Sequence, residues 1–226
     1  AQCLVGSEMC IREAFNGGNH SITGLSIRSS AVDTGLFGYA TGTISNLTLN
    51  SPVISGTQHV GGIAGKSTGT ISNCTVLSGS ISFSNTWESF AGGIVGIGTN
   101  IYSCHNRGTS ILGINTDGPN ATAGIVGSHE RGILQNCSNT GTVSGYGSVG
   151  GIAGITTGTL RNSFNTATIK VPGNISSKQN GFPIGGIVGW NNNGNIYTCY
   201  NTGRVINNST TGSGVMTGGL VGYCLL

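Results

Sequence analysis

A five-residue motif recurs seven times along this chain and constrains its fold more than any other feature. Its clearest copy is Gly61-Gly62-Ile63-Ala64-Gly65, in which glycines flank an apolar pair. Measured at the second residue, the copies stand at positions 35, 62, 93, 124, 151, 186 and 219. Spacings of 27 to 35 residues are the sequence signature of a repeat architecture.

Each repeat contains three short β-like runs separated by Gly, Asn, Ser and Thr, and no helical periodicity is present. An aliphatic column comprises Ile44, Ile71, Ile101, Leu134, Leu160 and Ile196. A second column, three residues on, comprises Leu47, Cys74, Cys104, Cys137, Ser163 and Cys199. A third, β-branched column comprises Val53, Ile81, Ile111, Val143, Ile169 and Val205. The pattern predicts an all-β, right-handed parallel β-helix (β-solenoid) of about seven coils, with three short strands per coil.

Parallel stacking places equivalent residues of successive coils ~4.8 Å apart, so columns become ladders. Ile71 and Cys74 cannot both point inward along a regular strand, so we expect a bend between them. Asn tolerates the left-handed backbone of such a bend, and the bend column holds Asn46, Asn73, Asn136 and Asn162. We expect a ladder of side-chain amides in another column, which holds Asn106, Asn139, Asn165 and Asn201.

We interpret residues 1–226 as one solenoid domain, in which 1–34 form an N-terminal segment with the first coil and 35–226 form the repeat coils. The last coil is expected to be incomplete. A bare coil exposes unpaired backbone and apolar core, which predicts a homo-oligomer that stacks head-to-tail into a filament. The residues expected at this contact between chains are Cys224, Leu225 and Leu226.

Composition narrows the range of partners and the compartment. Charged residues are 7% of the chain and form no basic run, so we expect no nucleic-acid partner. No apolar run reaches the ~20 residues of a membrane span. Seven cysteines in a small, charge-poor chain favour a secreted, extracellular or cell-surface protein.

An odd number of cysteines leaves at least one thiol free or paired outside the chain. Cys3 and Cys10 are a candidate disulfide, and two buried thiols are the alternative. The column of Cys74, Cys104, Cys137 and Cys199 could form disulfides between coils, because ~4.8 Å lies within bonding range. Leu47 and Ser163 share that column, which favours buried thiols that pack as small apolar groups.

Asn-x-Ser/Thr sequons predict a glycoprotein, since the chain has few charges to keep it soluble. The candidate acceptors are Asn19, Asn46, Asn73, Asn120, Asn136, Asn174, Asn207 and Asn208.

The repeats resemble the GLUG-motif family, named for a Gly-Leu-x-Gly core. That core stands here as Gly35-Leu36-Phe37-Gly38 and Gly219-Leu220-Val221-Gly222, with Ile variants between, and residues 196–205 also resemble the family pattern. The resemblance covers about residues 15–224. It implies a β-helix at the cell exterior, because the family occurs in secreted and surface proteins, including adhesin-like ones. It supplies no catalytic residues.

An enzyme is the less favoured function. The six carboxylates occupy unrelated repeat positions and are not expected to converge on one sheet. His129-Glu130 begins like a zinc-peptidase motif, but position 133 is Ile rather than His. We expect no catalytic residues, no cofactor and no metal site.

The sequence therefore predicts a non-enzymatic, extracellular structural or adhesive solenoid that stacks into a fibre. The alternative is a carbohydrate-binding adhesin module of a larger surface protein. Aromatic residues in or near insertions favour this alternative, because glycans commonly stack on such rings. They are Trp87 and Phe90, with Trp190 on a different coil.

Overall fold

The computed structural model describes residues 14–84, 88–113, 120–173, 183–209 and 216–225. These ranges contain thirty strands and no helix. A helical membrane span is accordingly not found in the described part of the chain. The strands pair in parallel into three sheets, which confirms the predicted β-solenoid.

Sheet A has sixteen strands. They are β1 (Ala14–Thr23), β4 (Phe37–Ala40), β5 (Thr43–Asn50), β8 (Ala64–Leu77), β11 (Val95–Tyr102), β12 (His105–Arg107), β15 (Val126–His129), β16 (Ile133–Gln135), β17 (Ser138–Asn139), β20 (Ala153–Thr156), β21 (Thr159–Arg161), β22 (Phe164–Asn165), β25 (Val188–Asn192), β26 (Asn195–Tyr197), β27 (Tyr200–Asn201) and β30 (Val221–Leu225). Sheets B and C have seven strands each. Sheet B contains β2 (Ser26–Arg28), β6 (Val53–Gly56), β9 (Ser80–Phe83), β13 (Ser110–Gly113), β18 (Val143–Ser144), β23 (Ile169–Val171) and β28 (Val205–Asn207). Sheet C contains β3 (Asp33–Thr34), β7 (His59–Gly61), β10 (Ser89–Gly92), β14 (Asn120–Ala123), β19 (Ser148–Gly150), β24 (Ile184–Gly185) and β29 (Thr217–Gly218).

Each coil runs from sheet C through sheet A to sheet B, and we number the coils by their strand in sheet C, from β3 in coil 1 to β29 in coil 7. Strands β1 and β2 form a partial coil before coil 1, while β29 and β30 begin coil 7. The described residues thus contain six complete coils between two partial ones. The three sheets match the three strands per coil that the sequence predicts. The part of a coil that lies in sheet A is, however, interrupted, and one coil contributes as many as three short strands to this sheet.

The interior is the predicted stack of aliphatic ladders. Ile71 pairs in register with Ile44 on one side and Ile101 on the other, and all three are fully buried. One prediction in the third column is wrong by a residue: Val53 is 54% exposed, whereas Ile54 is buried and pairs with Ile81. Both residues are β-branched, so side-chain type alone could not decide which of them points inward.

The predicted bend is confirmed by the backbone. Asn46, Asn73, Asn136 and Asn162 all have φ between 51° and 57°, in the left-handed region. Ser103 and Thr198 take the same conformation in the coils that lack Asn at this position. The left-handed residue between them lets Ile71 and Cys74 both face the core although they are three residues apart, and both are fully buried.

The second Asn column is a buried amide ladder. The Asn139 Nδ2 donates to Asn165 Oδ1 at 2.7 Å, and the Asn165 Nδ2 donates to Asn201 Oδ1 at 2.8 Å. The repeated motif packs directly on this ladder: a Cβ at Gly124 would clash with the Asn139 side chain. Glycine is required at this motif position because of close approach, which links the two most regular features of the sequence.

Candidate functional site

An open groove of about 470 Å³ runs along the outside of the solenoid between sheets A and C. We call it the outer groove and define it by its lining residues. These are His59, Lys66, Glu88, Phe90, Ile97, Ser128, Glu130, Ile155, Trp190 and Asn192. The volume falls in the range typical of small-ligand sites.

One wall is a single column of sheet A. Each residue of this column follows the last glycine of a motif copy, and successive members pair in register. From coil 2 to coil 6 the column holds Lys66, Ile97, Ser128, Ile155 and Trp190. With ~4.8 Å per coil, the wall extends ~19 Å along the rod from Lys66 to Trp190.

The other wall is contributed by sheet C. His59 of coil 2 pairs in register with Phe90 of coil 3, which pairs with Ala121 of coil 4. The motif glycines bring the two walls together, since a Cβ at Gly127 would lie 2.7 Å from the Ala91 nitrogen. Only a glycine column allows sheets A and C to approach this closely, so the motif itself creates the groove.

The floor is apolar and separate from the main core. Phe90, Ile97 and Ala121 form a second buried cluster, against which Ile155 packs. The Phe90 ring stacks on the His59 ring, with centroids 5.8 Å apart. Ile155 and Trp190 are the partly exposed apolar side chains of the groove, so a ligand that enters it would contact these two first.

Polar groups stand around this floor. The His59 Nδ1 lies 2.6 Å from Asp33 Oδ1, which fixes the orientation of the imidazole. Trp190 packs against Tyr223 with ring centroids 6.2 Å apart, and its Nε1 is a buried donor without a hydrogen-bond partner among the described residues. A buried indole N–H usually has an acceptor, and none is found for this one among the described residues.

Two of the three aromatic residues on which the carbohydrate-binding alternative rests lie in the same place in the structure. Phe90 and Trp190, one hundred residues apart in the chain, line the same groove. Trp87 lies outside the described residues. Sequence reasoning missed Lys66, Ile97 and Ile155. Their common offset of one residue from the repeated motif was the signal that could have found them.

Glu88 and Glu130 line the same groove from different sheets, so the expectation that the carboxylates do not converge on one sheet is not contradicted. Glu88 precedes a motif copy and Glu130 follows one, so their repeat positions differ. Glu88 lies before β10 of sheet C in coil 3, and Glu130 lies after β15 of sheet A in coil 4.

His129 has a structural position rather than a catalytic one. Its Nε2 donates to the Thr99 carbonyl at 3.0 Å, and its Nδ1 accepts from Thr156 Oγ1 at 2.8 Å. The imidazole thus joins coils 3, 4 and 5 in its neutral form. Burial lowers its pKa from 6.5 to about 4. Glu130, its neighbour in sequence, is exposed.

The cysteine column is a stack of buried thiols in coils 2, 3 and 4. Cys74, Cys104 and Cys137 are free, as are Cys199 and Cys224. Burial raises the pKa of Cys104 and raises that of Cys137 to about 12, so both stay protonated at neutral pH. No group of three or more His, Cys, Asp or Glu that could hold a metal ion occurs within the described ranges.

The sequons differ in their surroundings. Asn19, Asn136 and Asn208 are exposed, and Asn120 is buried. In three other sequons the asparagine Nδ2, to which a glycan would be attached, already donates a hydrogen bond. These bonds run from Asn46 to Asn16 Oδ1, from Asn73 to Asn46 Oδ1 and from Asn207 to Thr217 Oγ1. Asn174 lies outside the described residues. Glycosylation stays a prediction, for which the exposed acceptors are the accessible sites.

The residues predicted to contact another chain are described in part. Cys224 and Leu225 are exposed on β30, and the Cys224 Sγ accepts from Asn191 Nδ2 at 3.3 Å. Leu226, Cys3 and Cys10 lie outside the described residues.

Comparison with known families identifies two of the coils. The GLUG motif matches residues 118–144 and 181–206. Each match spans one coil, from its strand in sheet C to its strand in sheet B. No curated protein matches this chain, and no solved structure matches it. The resemblance to GLUG repeats that the sequence predicts is confirmed.

Proposed function

We propose that this β-solenoid with GLUG motifs is a non-enzymatic adhesive module of the cell exterior that binds carbohydrate through the outer groove. The observation that carries the proposal is the convergence of Phe90 and Trp190 on one preformed groove. Sugars present apolar C–H faces and a rim of hydroxyls. The groove has the matching combination of an apolar floor and a few orienting polar groups.

In this proposal the polar groups bind rather than react. Glu88, Glu130 and Asn192 supply acceptors for sugar hydroxyls, and Lys66 supplies donors. The groove is open along the rod, so it suits an internal segment of a glycan as well as its end. Exposed sequons and the scarcity of charge support an extracellular location.

The test is glycan binding by the full chain and by Trp190→Ala, followed by titration calorimetry on whichever glycans bind. We expect Trp190→Ala to weaken binding at least tenfold, as is typical for loss of a central aromatic contact. The matched control is Tyr197→Ala, which removes an exposed aromatic ring on sheet A outside the outer groove. Equal affinities of the two variants would refute the assignment of the groove, and absence of binding to any glycan would refute the function.

A second candidate function is head-to-tail assembly into a fibre. Ile196, Cys199 and Val205 of coil 6 are only partly buried, whereas their equivalents in coil 5, Leu160, Ser163 and Ile169, are buried. This apolar cross-section would be covered by a further coil, and a second copy of the chain is one source of such a coil.

Assembly is tested by light scattering over a range of concentrations together with negative-stain microscopy. We expect filaments or a mass that grows with concentration, and Val205→Asp should abolish this growth by placing a charge in the contact. Lys170→Asp, on an internal coil, is the matched control. A monomer at every concentration would exclude the fibre and leave the proposal for the groove untouched.

A further inference from the structure

The few charges of the described residues are segregated on the surface. Three carboxylates occur there: Glu88 and Glu130 line the outer groove, and Asp33 lies beside it as the hydrogen-bond partner of the lining residue His59. Of the seven described lysines and arginines, Lys66 alone lines the groove. The other six are Arg28, Arg107, Arg131, Arg161, Lys170 and Arg204.

The net charge of the groove lining is therefore opposite in sign to the net charge of the whole chain. The chain has a formal charge of +3, whereas two carboxylates and one ammonium line the groove. Within the described ranges the sole ion pair joins His59 and Asp33. Glu88 and Glu130 thus have no described cation within ion-pair distance, and both are exposed to solvent. Their negative potential acts on whatever occupies the groove.

We propose that the outer groove selects glycans with protonated amino groups, such as oligomers of glucosamine, over neutral and acidic glycans of the same length. This inference rests on the proposed carbohydrate-binding function. The apolar floor binds the sugar faces, which the three ligand types share, and Glu88 and Glu130 attract the ammonium groups. A uronic acid would bring further carboxylates beside these two and would be repelled.

The expected selectivity is modest, because both carboxylates are exposed. Each solvent-exposed ion pair strengthens binding by about 1.4- to fivefold, so the two together give about two- to twenty-fivefold. The gain should decline as salt is added, whereas contacts with the apolar floor should persist.

The experiment titrates the full chain with oligomers of glucosamine, of N-acetylglucosamine and of galacturonic acid, all of one length, at a pH at which the amine is protonated. We expect the glucosamine oligomer to bind about two- to twenty-fivefold tighter than the acetylated one, and the acidic oligomer to bind weakest. Glu88→Gln and Glu130→Gln together should equalise the first two. Arg107→Gln changes the net charge by one unit in the opposite direction, outside the groove, and should leave the order unchanged.

The outcomes separate the inference from the function on which it rests. If the acetylated oligomer binds as tightly as the glucosamine oligomer, the selectivity is refuted while carbohydrate binding stands. If Arg107→Gln raises the preference for the glucosamine oligomer as strongly as loss of one glutamate lowers it, overall charge governs binding and the proposal for the groove fails. If none of the three oligomers binds and no other glycan does, both the inference and the proposed function fall.

Discussion

Replacement of Asn165 by Ala tests whether the buried amide ladder stabilises the solenoid. Asn165 is fully buried and makes four side-chain hydrogen bonds. Its Oδ1 accepts from the Ala167 nitrogen at 3.3 Å and from Asn139 Nδ2 at 2.7 Å. Its Nδ2 donates to the Ala167 carbonyl at 2.9 Å and to Asn201 Oδ1 at 2.8 Å.

The magnitude follows from these four bonds. A buried hydrogen bond contributes about 1 kcal/mol net, so Asn165→Ala should lower the free energy of unfolding by about 4 kcal/mol. With a denaturant slope of about 2 kcal/mol/M, the urea midpoint would fall by about 2 M. The variant should also open more easily at this turn. Hydrogen exchange of the backbone amides around Ala167 should therefore become faster.

The assay is urea unfolding followed by circular dichroism, with Thr166→Ala as the matched control. Thr166 is the next residue and is exposed, so its truncation should change stability by no more than about 0.5 kcal/mol. A loss below about 1 kcal/mol for Asn165→Ala would refute the argument. It would mean that water or a shift of the turn replaces the lost bonds.

Three further predictions concern the residues that hold the coils in place. The pKa of His129 is about 4 in the folded chain and about 6.5 in the unfolded chain, so the unfolded chain is protonated first as the pH falls. The free energy of unfolding should therefore be highest above pH 6.5 and fall by up to about 3 kcal/mol towards pH 4. Urea midpoints across this pH range should show a smaller fall for His129→Gln, and an identical fall would disprove the assignment. At the left-handed bend, Asn73→Gly should be more stable than Asn73→Ala by about 1 kcal/mol, and thermal unfolding that ranks Ala first would contradict the role of φ. Gly124→Ala should destabilise the chain by more than about 2 kcal/mol because its Cβ would meet the Asn139 side chain, while Gly219→Ala, with open space around the new Cβ, should be near neutral; equal unfolding midpoints would exclude the close-packing argument.

Much of the fold is readable from the sequence because parallel in-register stacking turns a repeated residue type into a ladder. The three-residue step from Ile71 to Cys74 requires a bend, and Asn at position 73 predicts where the bend lies. The Asn139 to Asn201 ladder is predictable for the same reason. Where neighbouring residues are alike, as at Val53 and Ile54, the pattern leaves the register open and packing decides it.

The outer groove is less visible in the sequence, because its wall shares no residue type. Lys66, Ile97, Ser128 and Trp190 form one column whose side chains differ in size and charge. Their alignment could be read from the offset to the motif, but nothing in that column indicates a binding surface.

The sequence by itself determined the solenoid, its period, the inward ladders and the Asn bends, since these depend on contacts between equivalent residues of adjacent coils. Only the tertiary structure decided that sheets A and C approach at the motif glycines and face each other across a groove. That approach depends on the angle at which a coil folds back on itself, which brings the unlike residues Glu88, Glu130, Phe90 and Trp190 together. The glycine motif is needed for both the solenoid core and the outer groove. The absence of a Cβ lets the motif pack closely against the core and lets sheets A and C approach each other beside the groove.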